Sequence, residues 1–355
     1  MVKRKKVLVV GAGPAGASTA YFLKRGDEED KLDVKIIERL DETRHPLYHD
    51  MCGEVISEKL LSEVGDMPVK GIVEKIHTAK EYWPGDITIT TKIDGLAIDR
   101  NLLLEAIRET YPNLGIEYGQ ASLSSLAPYD NITKVRLGDK VESYDYVIGA
   151  DGANSIVRKS IGAKGRITTA MQFIVDEKPD PGVIHIHYDE MYKADYKWIF
   201  PHGSNTKIGF PLESHRHLPE PKFIVAKQAR SIGFGGVDKY VMGNILLVGD
   251  AACQSNPLTK GGIRSGIIAG KLAAEAVLNE RPQSYQEGWM KTGFSNGLFM
   301  KAYNDLTDMK NDELFKHIKP FGNYKPLYTE LILLLKYQKY LHLYKAYKLT
   351  EKFGW

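Results

Sequence analysis

Four consecutive apolar residues, Val7-Leu8-Val9-Val10, form the first strong hydrophobic run, and its length fits a buried parallel strand. A glycine-rich turn, residues 11–16, follows at once and opens a helical stretch from Ala17 to Lys24. A second run, Val34-Lys35-Ile36-Ile37, ends at Glu38, so residues 6–38 read as one βαβ unit. Two more buried strands are predicted at 146–149 and 244–248, and a helix runs from Ile263 to about Leu278. Ile87 to Ile93 and Gly182 to Phe210 are strand-like and are predicted to form an antiparallel sheet. Within the second, Tyr196-Lys197-Trp198-Ile199-Phe200-Pro201 puts three aromatics at alternate positions on one face, and Pro201 is expected to end the strand.

Chemistry enters at the glycines. In Gly11-Ala12-Gly13-Pro14-Ala15-Gly16, the first glycine allows the tight turn and the second lets backbone approach a pyrophosphate. The third lets helix and strand pack, and the helix N-terminus faces the phosphate charge. Glu38, with Arg39 beside it, stands where a ribose 2′-OH would be bound, which favours an unphosphorylated ribose without separating FAD from NAD. The fold class is therefore mixed α/β (α+β). A Rossmann-type dinucleotide domain draws on residues 1–65, 96–165 and 240–290. Residues 66–95 and 166–239 form a substrate-walling sheet domain, and 291–355 a helical C-terminal region.

Two later segments choose FAD by resemblance. Tyr146-Val147-Ile148-Gly149-Ala150-Asp151-Gly152-Ala153-Asn154-Ser155, with Arg158 downstream, resembles the Asp-Gly motif of the aromatic hydroxylase superfamily. Asn244-Ile245-Leu246-Leu247-Val248-Gly249-Asp250-Ala251-Ala252 resembles its Gly-Asp motif, and Arg100 matches its arginine near the pyrophosphate. An Asp beside Gly is, by itself, a common turn or N-cap residue. The second strand delivers Asp250 to its C-terminal end, where its carboxylate can accept from a ribityl hydroxyl. Asn256-Pro257-Leu258-Thr259-Lys260-Gly261-Gly262-Ile263 then brings a helix N-terminus toward the flavin ring, where its dipole would favour an anionic reduced flavin.

With the aromatic segment added, the set resembles the geranylgeranyl reductase family, FAD enzymes that saturate isoprenoid double bonds. The family pattern places a Gly-x-Gly seven or eight residues after the proline. Gly209 is present, but Pro211 stands for the second glycine. Cys52-Gly53 falls at the family's Cys-Gly motif, with Glu54 where another glycine is common. That loop lies near the flavin in the family, which marks Cys52 and Gly53. The resemblance implies that Tyr196, Trp198, Phe200 and Pro201 bind a prenyl chain. It also implies proton addition to the alkene and hydride delivery from reduced flavin, with Cys52, Tyr196 or an ordered water as acid and His45 and His49 as outsiders. The closest alternative is a FAD-dependent monooxygenase of an aromatic or quinone ring; another is a non-catalytic FAD protein that carries lipid or quinone.

Composition adds bounds. The 355 residues allow two or three structural units. A net charge of +3 (48 basic minus 45 acidic) gives no pointer to nucleic acid. Two cysteines fit a reducing compartment, and a Cys52–Cys253 redox pair is less expected than two buried thiols. His185 and His187 alternate on one strand, but no third ligand is near, so no metal is expected. Met1 to Lys6 is basic yet runs into the first strand, so no removable signal is read there; a cytoplasmic protein, peripheral on a membrane at most, is expected. The apolar run Leu331 to Leu335 and the Lys- and Tyr-rich stretch to Leu349 suit either a membrane-interface helix or a surface helix packed on the body. Gly233-Phe234-Gly235-Gly236 lacks dinucleotide spacing, so the reductant is NAD(P)H bound transiently or a ferredoxin-like carrier. The prenyl headgroup is open, with a lean toward membrane lipids of archaeal type.

Overall fold

The computed structural model describes residues 4–112, 114–119, 123–129, 132–322 and 336–354. Its first layer is a six-stranded sheet in the order β16 (Val241–Met242), β17 (Ile245–Leu247), β10 (Tyr146–Gly149), β1 (Lys5–Val10), β2 (Leu32–Ile37), β6 (Ile116–Glu117). All its pairings are parallel except β16 with β17. Val7, Leu8, Val9, Val147, Ile148, Ile245 and Leu246 are fully buried in it, each worth about 1.5–3 kcal/mol. Helix α1 (Pro14–Gly26) starts three residues before the expected Ala17 because Pro14 supplies a pre-set φ at the first turn. It crosses α6 (Ile263–Leu278) at Gly270, where a Cβ would lie 2.7 Å from the Ser18 and Thr19 hydroxyls. Two short helices, α2 (Arg44–His49) and α3 (Lys59–Glu63), lead away from this layer, and α4 (Arg100–Thr110) and α5 (Ile156–Ser160) return to it.

The second layer is an eight-stranded sheet: β15 (Ile224–Val237), β11 (Gly165–Val175), β14 (Asn205–Pro211), β13 (Lys197–His202), β12 (Val183–His187), β4 (Ile72–Trp83), β5 (Ile87–Ile98), β3 (Val55–Ser57). It departs from the sequence reading in three places. The β12–β4 pair is parallel, so the sheet is mixed. Val55–Ser57 and residues 96–98, expected in the dinucleotide domain, pair within this sheet. Pro201 does not end β13, which runs on to His202. Its pairing with β12 stops at Ile199, so the proline occupies a one-sided position where its missing N–H costs no ladder bond. A small antiparallel sheet, β7 (Leu123–Tyr129), β8 (Ile132–Leu137) and β9 (Lys140–Tyr144), lies beside β10 and packs Val135 and Tyr144 into the main core.

The C-terminal region is helical: α7 (Gln283–Met290), α8 (Gly297–Asp308), α9 (Asn311–Ile318) and α10 (Leu341–Phe353). Phe299, Leu306, Leu314, Leu343 and Tyr344 make a second core with Trp83 of β4. Thus α10 packs its Leu343–Tyr344–Ala346 face inward and leaves Lys345 and Lys348 exposed, which is the surface-helix alternative. Leu331 to Leu335 lies outside the described residues. No described helix is long and apolar enough to cross a membrane.

Candidate active site

A cavity of about 1400 Å³ runs between the two sheets, against the roughly 300–1,000 Å³ of an ordinary ligand pocket. Gly11, Gly13, Ala15, Glu38 and Arg39 line one end. Gly11 has φ 103°, and a Cβ there would lie 2.4 Å from the Ala150 carbonyl oxygen. Gly16 does not line the cavity; a Cβ on it would strike Gly11 O, so its part is the closeness of helix and strand. No side chain caps α1, whose N-terminus is left open toward the cavity. The Glu38 carboxylate accepts from the Ala12 and Leu40 amides at 3.0 and 2.9 Å, and each oxygen keeps a lone pair.

The Asp-Gly and Gly-Asp loops meet beside this cradle. Asp151 accepts from Ser155 Oγ (2.5 Å) and from the Ile156 and Val157 amides, so its carboxylate caps α5 while Gly152 borders the cavity. Arg158 ties the loops together, donating to the carbonyls of Ala153 (2.5 Å) and Ala251 (3.1 Å). Gly249, with φ 62°, lets the second loop close on Ala15. Asp250 lies in the cavity wall with Ser255 Oγ at 2.9 Å; burial raises its pKa, and Arg230, Arg100 and Arg158 oppose that. Gly261, Gly262 and Ile263 bring the uncapped α6 N-terminus to the cavity, whereas Pro257 is buried outside the wall. Arg100 is buried in the wall and held by the His49 and Met51 carbonyls.

The aromatic segment forms the opposite wall. Tyr196, Trp198 and Phe200 follow one another with ring centroids 6.2 and 6.5 Å apart, and all three line the cavity; Pro201 does not. Phe200 lies where a Cβ on Gly53 would fall, 2.9 Å from its Cδ2, so the Cys52-Gly53 loop packs directly on the stripe. The Trp198 indole covers Gly209, and its Nε1 donates to buried Gln172 at 3.3 Å. Gln172 passes the link to Gln228 (3.2 Å), and Gln228 to Asp50 (3.0 Å), beside the same loop. The Tyr196 hydroxyl donates to the Thr259 carbonyl, joining the stripe to the α6 loop.

Several groups gain a role only in the fold. Glu54 has φ 57°, which explains a glycine preference there, and its carboxylate pairs with fully buried Lys207 and accepts from the Arg100 amide at 3.1 Å. Arg230 lines the cavity, its Nη1 without a hydrogen-bond partner among the described residues and its cation 4.6 Å from the Tyr48 ring. Lys260 pairs with Asp195 in the wall. His49 also lines it; burial and Arg100 push its pKa well down, so it stays neutral. Cys253 is buried outside the cavity with its thiol raised to about 11 by burial, and both cysteines are free thiols. His185 takes Tyr82 and Asp180 as partners on the face opposite the cavity. No cluster of three metal-ligating side chains occurs among the described residues.

This fold is the one shared by a class of FAD- and flavin-dependent proteins of known structure. A probable FAD-dependent monooxygenase from Pseudomonas aeruginosa shares it with TM-score 0.63 at 16% identity, over 88% of this chain and 99% of that one. Within that class the chain is similar to the geranylgeranyl reductases. A geranylgeranyl bacteriochlorophyll reductase-like protein from Thermoplasma acidophilum matches with TM-score 0.78 at 20% identity, over 98% of this chain and 99% of that one. Digeranylgeranylglycerophospholipid reductase 1 of Methanopyrus kandleri is 28% identical, with 87% of this chain aligned to 88% of that protein. No family model matches the chain. The family resemblance and the fold class read from the sequence are both borne out.

Proposed function

We propose that this protein is a FAD-dependent reductase that saturates C=C bonds of geranylgeranyl chains on a membrane phospholipid or its precursor. The observation that carries this reading is the aromatic stripe packed on the Cys52-Gly53 loop, inside a cavity whose other end is a dinucleotide cradle. The residues fit FAD: Gly11, Gly13 and Ala15 leave room for a pyrophosphate, Glu38 for an adenosine ribose and Asp250 for ribityl hydroxyls. Arg230 offers an unpaired N–H to an anionic group. Bound and reduced, FAD supplies the hydride.

The chain's own side chains do the rest. Tyr196, Trp198 and Phe200 hold an extended hydrocarbon in a dry slot, where positioning supplies much of the rate. Their faces favour cationic character at the alkene. The Tyr196 hydroxyl donates to the Thr259 carbonyl and so holds the α6 loop, which makes it a positioning group rather than a proton donor. Cys52 stays in the wall beside the reacting region. NAD(P)H bound transiently, or a small ferredoxin-like carrier, would reduce the flavin. The exposed Lys345 of α10, which lies outside the cavity wall, would contact a cytoplasmic membrane surface. The monooxygenase alternative rests on the shared fold alone.

The test is anaerobic. Dithionite-reduced protein is mixed with digeranylgeranylglycerophospholipid, and flavin absorbance and lipid mass are followed together. Reoxidation with a gain of two hydrogens per saturated bond is expected. A flavin that stays reduced until oxygen is admitted would point to the monooxygenase instead.

A further inference from the structure

Reduction of an isolated alkene needs a proton as well as a hydride, and the Tyr196 proton is committed to the Thr259 carbonyl. Further along the same sheet face stands Glu81 of β4. It lies in register with Ile186 of β12, which lies in register with Trp198 of β13, and all three line the cavity. Strands are about 4.8 Å apart, so Glu81 sits roughly 10 Å along the sheet from Trp198. Among the described residues its carboxyl has one hydrogen-bond partner, Trp83 Nε1 at 3.1 Å.

Tyrosines surround it, and only one has a free hydroxyl among the described residues. Tyr347 of α10 is engaged with His317 Nε2 at 3.2 Å. Tyr188, just after β12, stacks on Trp83 at 3.8 Å and reaches within 5.9 Å of the Tyr196 ring; no protein partner takes its hydroxyl. Rings at Trp83, Tyr188, Tyr196, Trp198 and Phe200 thus run without a break from Glu81 to the Cys52-Gly53 loop.

We propose that Tyr188 and Glu81 form the proton-donating pair of the prenyl slot, Tyr188 delivering the proton and Glu81 replacing it. The inference rests on the reductase reading above. In the step, the alkene π pair forms a C–H bond to the Tyr188 proton, and the phenolic oxygen takes the Glu81 proton relayed by a bridging water. The cationic carbon accepts hydride from the reduced flavin, so the product gains one proton and one hydride. Glu81, left as carboxylate, regains its proton from solvent. Burial raises the Glu81 pKa, and the Trp83 N–H opposes that. The groups that face it are Trp83, Ile89 of β5, Ile186, Tyr188 and Tyr347, none of them ionised. Burial holds both phenols well above their ordinary range.

The experiment compares FAD-loaded wild type with Glu81→Gln, Tyr188→Phe and Cys52→Ser. Reoxidation of the reduced flavin by digeranylgeranylglycerophospholipid is expected to slow about 10²- to 10⁴-fold in Glu81→Gln and by a smaller factor in Tyr188→Phe. Dithionite reduction and FAD content should not change. Without any lipid, the infrared difference spectrum of wild type minus Glu81→Gln should show a protonated carboxyl that shifts in heavy water. The wild-type reoxidation rate should fall as pH rises through the titration of that band, and Glu81→Gln should be flat. A Glu81→Gln protein as fast as wild type, a missing band, or loss of the step in Cys52→Ser alone overturns the assignment. Wild type left reduced by the lipid removes the reductase reading itself, and this assignment with it.

Discussion

Trp198 and Gly209 face each other across β13 and β14, and the indole fills the space that a Cβ on Gly209 would need, 1.9 Å from Trp198 Cζ2. Gly209→Ala is therefore expected to rotate the indole off its hydrogen bond to Gln172 and to cost about 1–3 kcal/mol from overpacking. The expected result is a shift in tryptophan emission and slower lipid reduction at unchanged FAD content; unchanged emission and rate would refute the contact. Motif glycines were legible in the sequence because each answers a local demand, a turn or a close approach. The Glu54–Lys207 pair was not, because 153 residues separate its members and only the folded sheet brings them together. Glu54 itself was visible as a departure from the family pattern, without its reason. A side chain in the left-handed region costs about 1–2 kcal/mol, which bonds to Lys207 and the Arg100 amide offset.

At the scale of elements, α10 closes the cavity beyond the aromatic stripe, with Tyr344, Tyr347 and Lys348 in its wall. Its end is fastened by Arg264 of α6, which donates to the Phe353 and Gly354 carbonyls and pairs with Glu63 of α3 at 2.5 Å. Arg264→Ala is expected to destabilise this docking by about 1.5–3 kcal/mol, seen as faster hydrogen exchange over residues 341–353. Exchange confined to its wild-type rate would contradict that role. The same docking buries His317 of α9 beneath Tyr347, and burial lowers its pKa to about 4. Its folded pKa lies below the unfolded one, so the neutral ring's contribution is complete above about pH 6.5 and is lost as pH falls toward 4. Denaturant titrations should show wild type losing about 2 kcal/mol more than His317→Asn between pH 7 and pH 5. Equal slopes would sink the assignment. None of this docking was legible: the Lys and Tyr spacing of the tail fits a membrane surface and a packed helix equally. Strand β4 went unread for a related reason, since its charged residues point partly into a cavity.

At the scale of the molecule, the βαβ unit and both Asp motifs were readable because a parallel sheet leaves unbroken apolar runs, as at Val7–Val10 and Ile245–Val248. The order in which those runs assemble was not, since β1 sits between β10 and β2. The cavity proposed for FAD is lined by residues from all three sequence stretches of the dinucleotide domain. At a hundred times its dissociation constant FAD should stabilise the fold by about 2.7 kcal/mol. Stripped protein should accordingly melt earlier and regain its Tm on adding FAD; coincident melting curves would exclude that linkage.

That patchwork also sets a timetable. Gly11 and Gly262 line one cavity but lie 251 residues apart, so at about 5–20 residues per second a ribosome takes roughly 10–50 s to supply the second after the first. Until Ile245–Leu247 is made, β10 lacks its strand on that side, and the cradle stays incomplete until Gly262 follows.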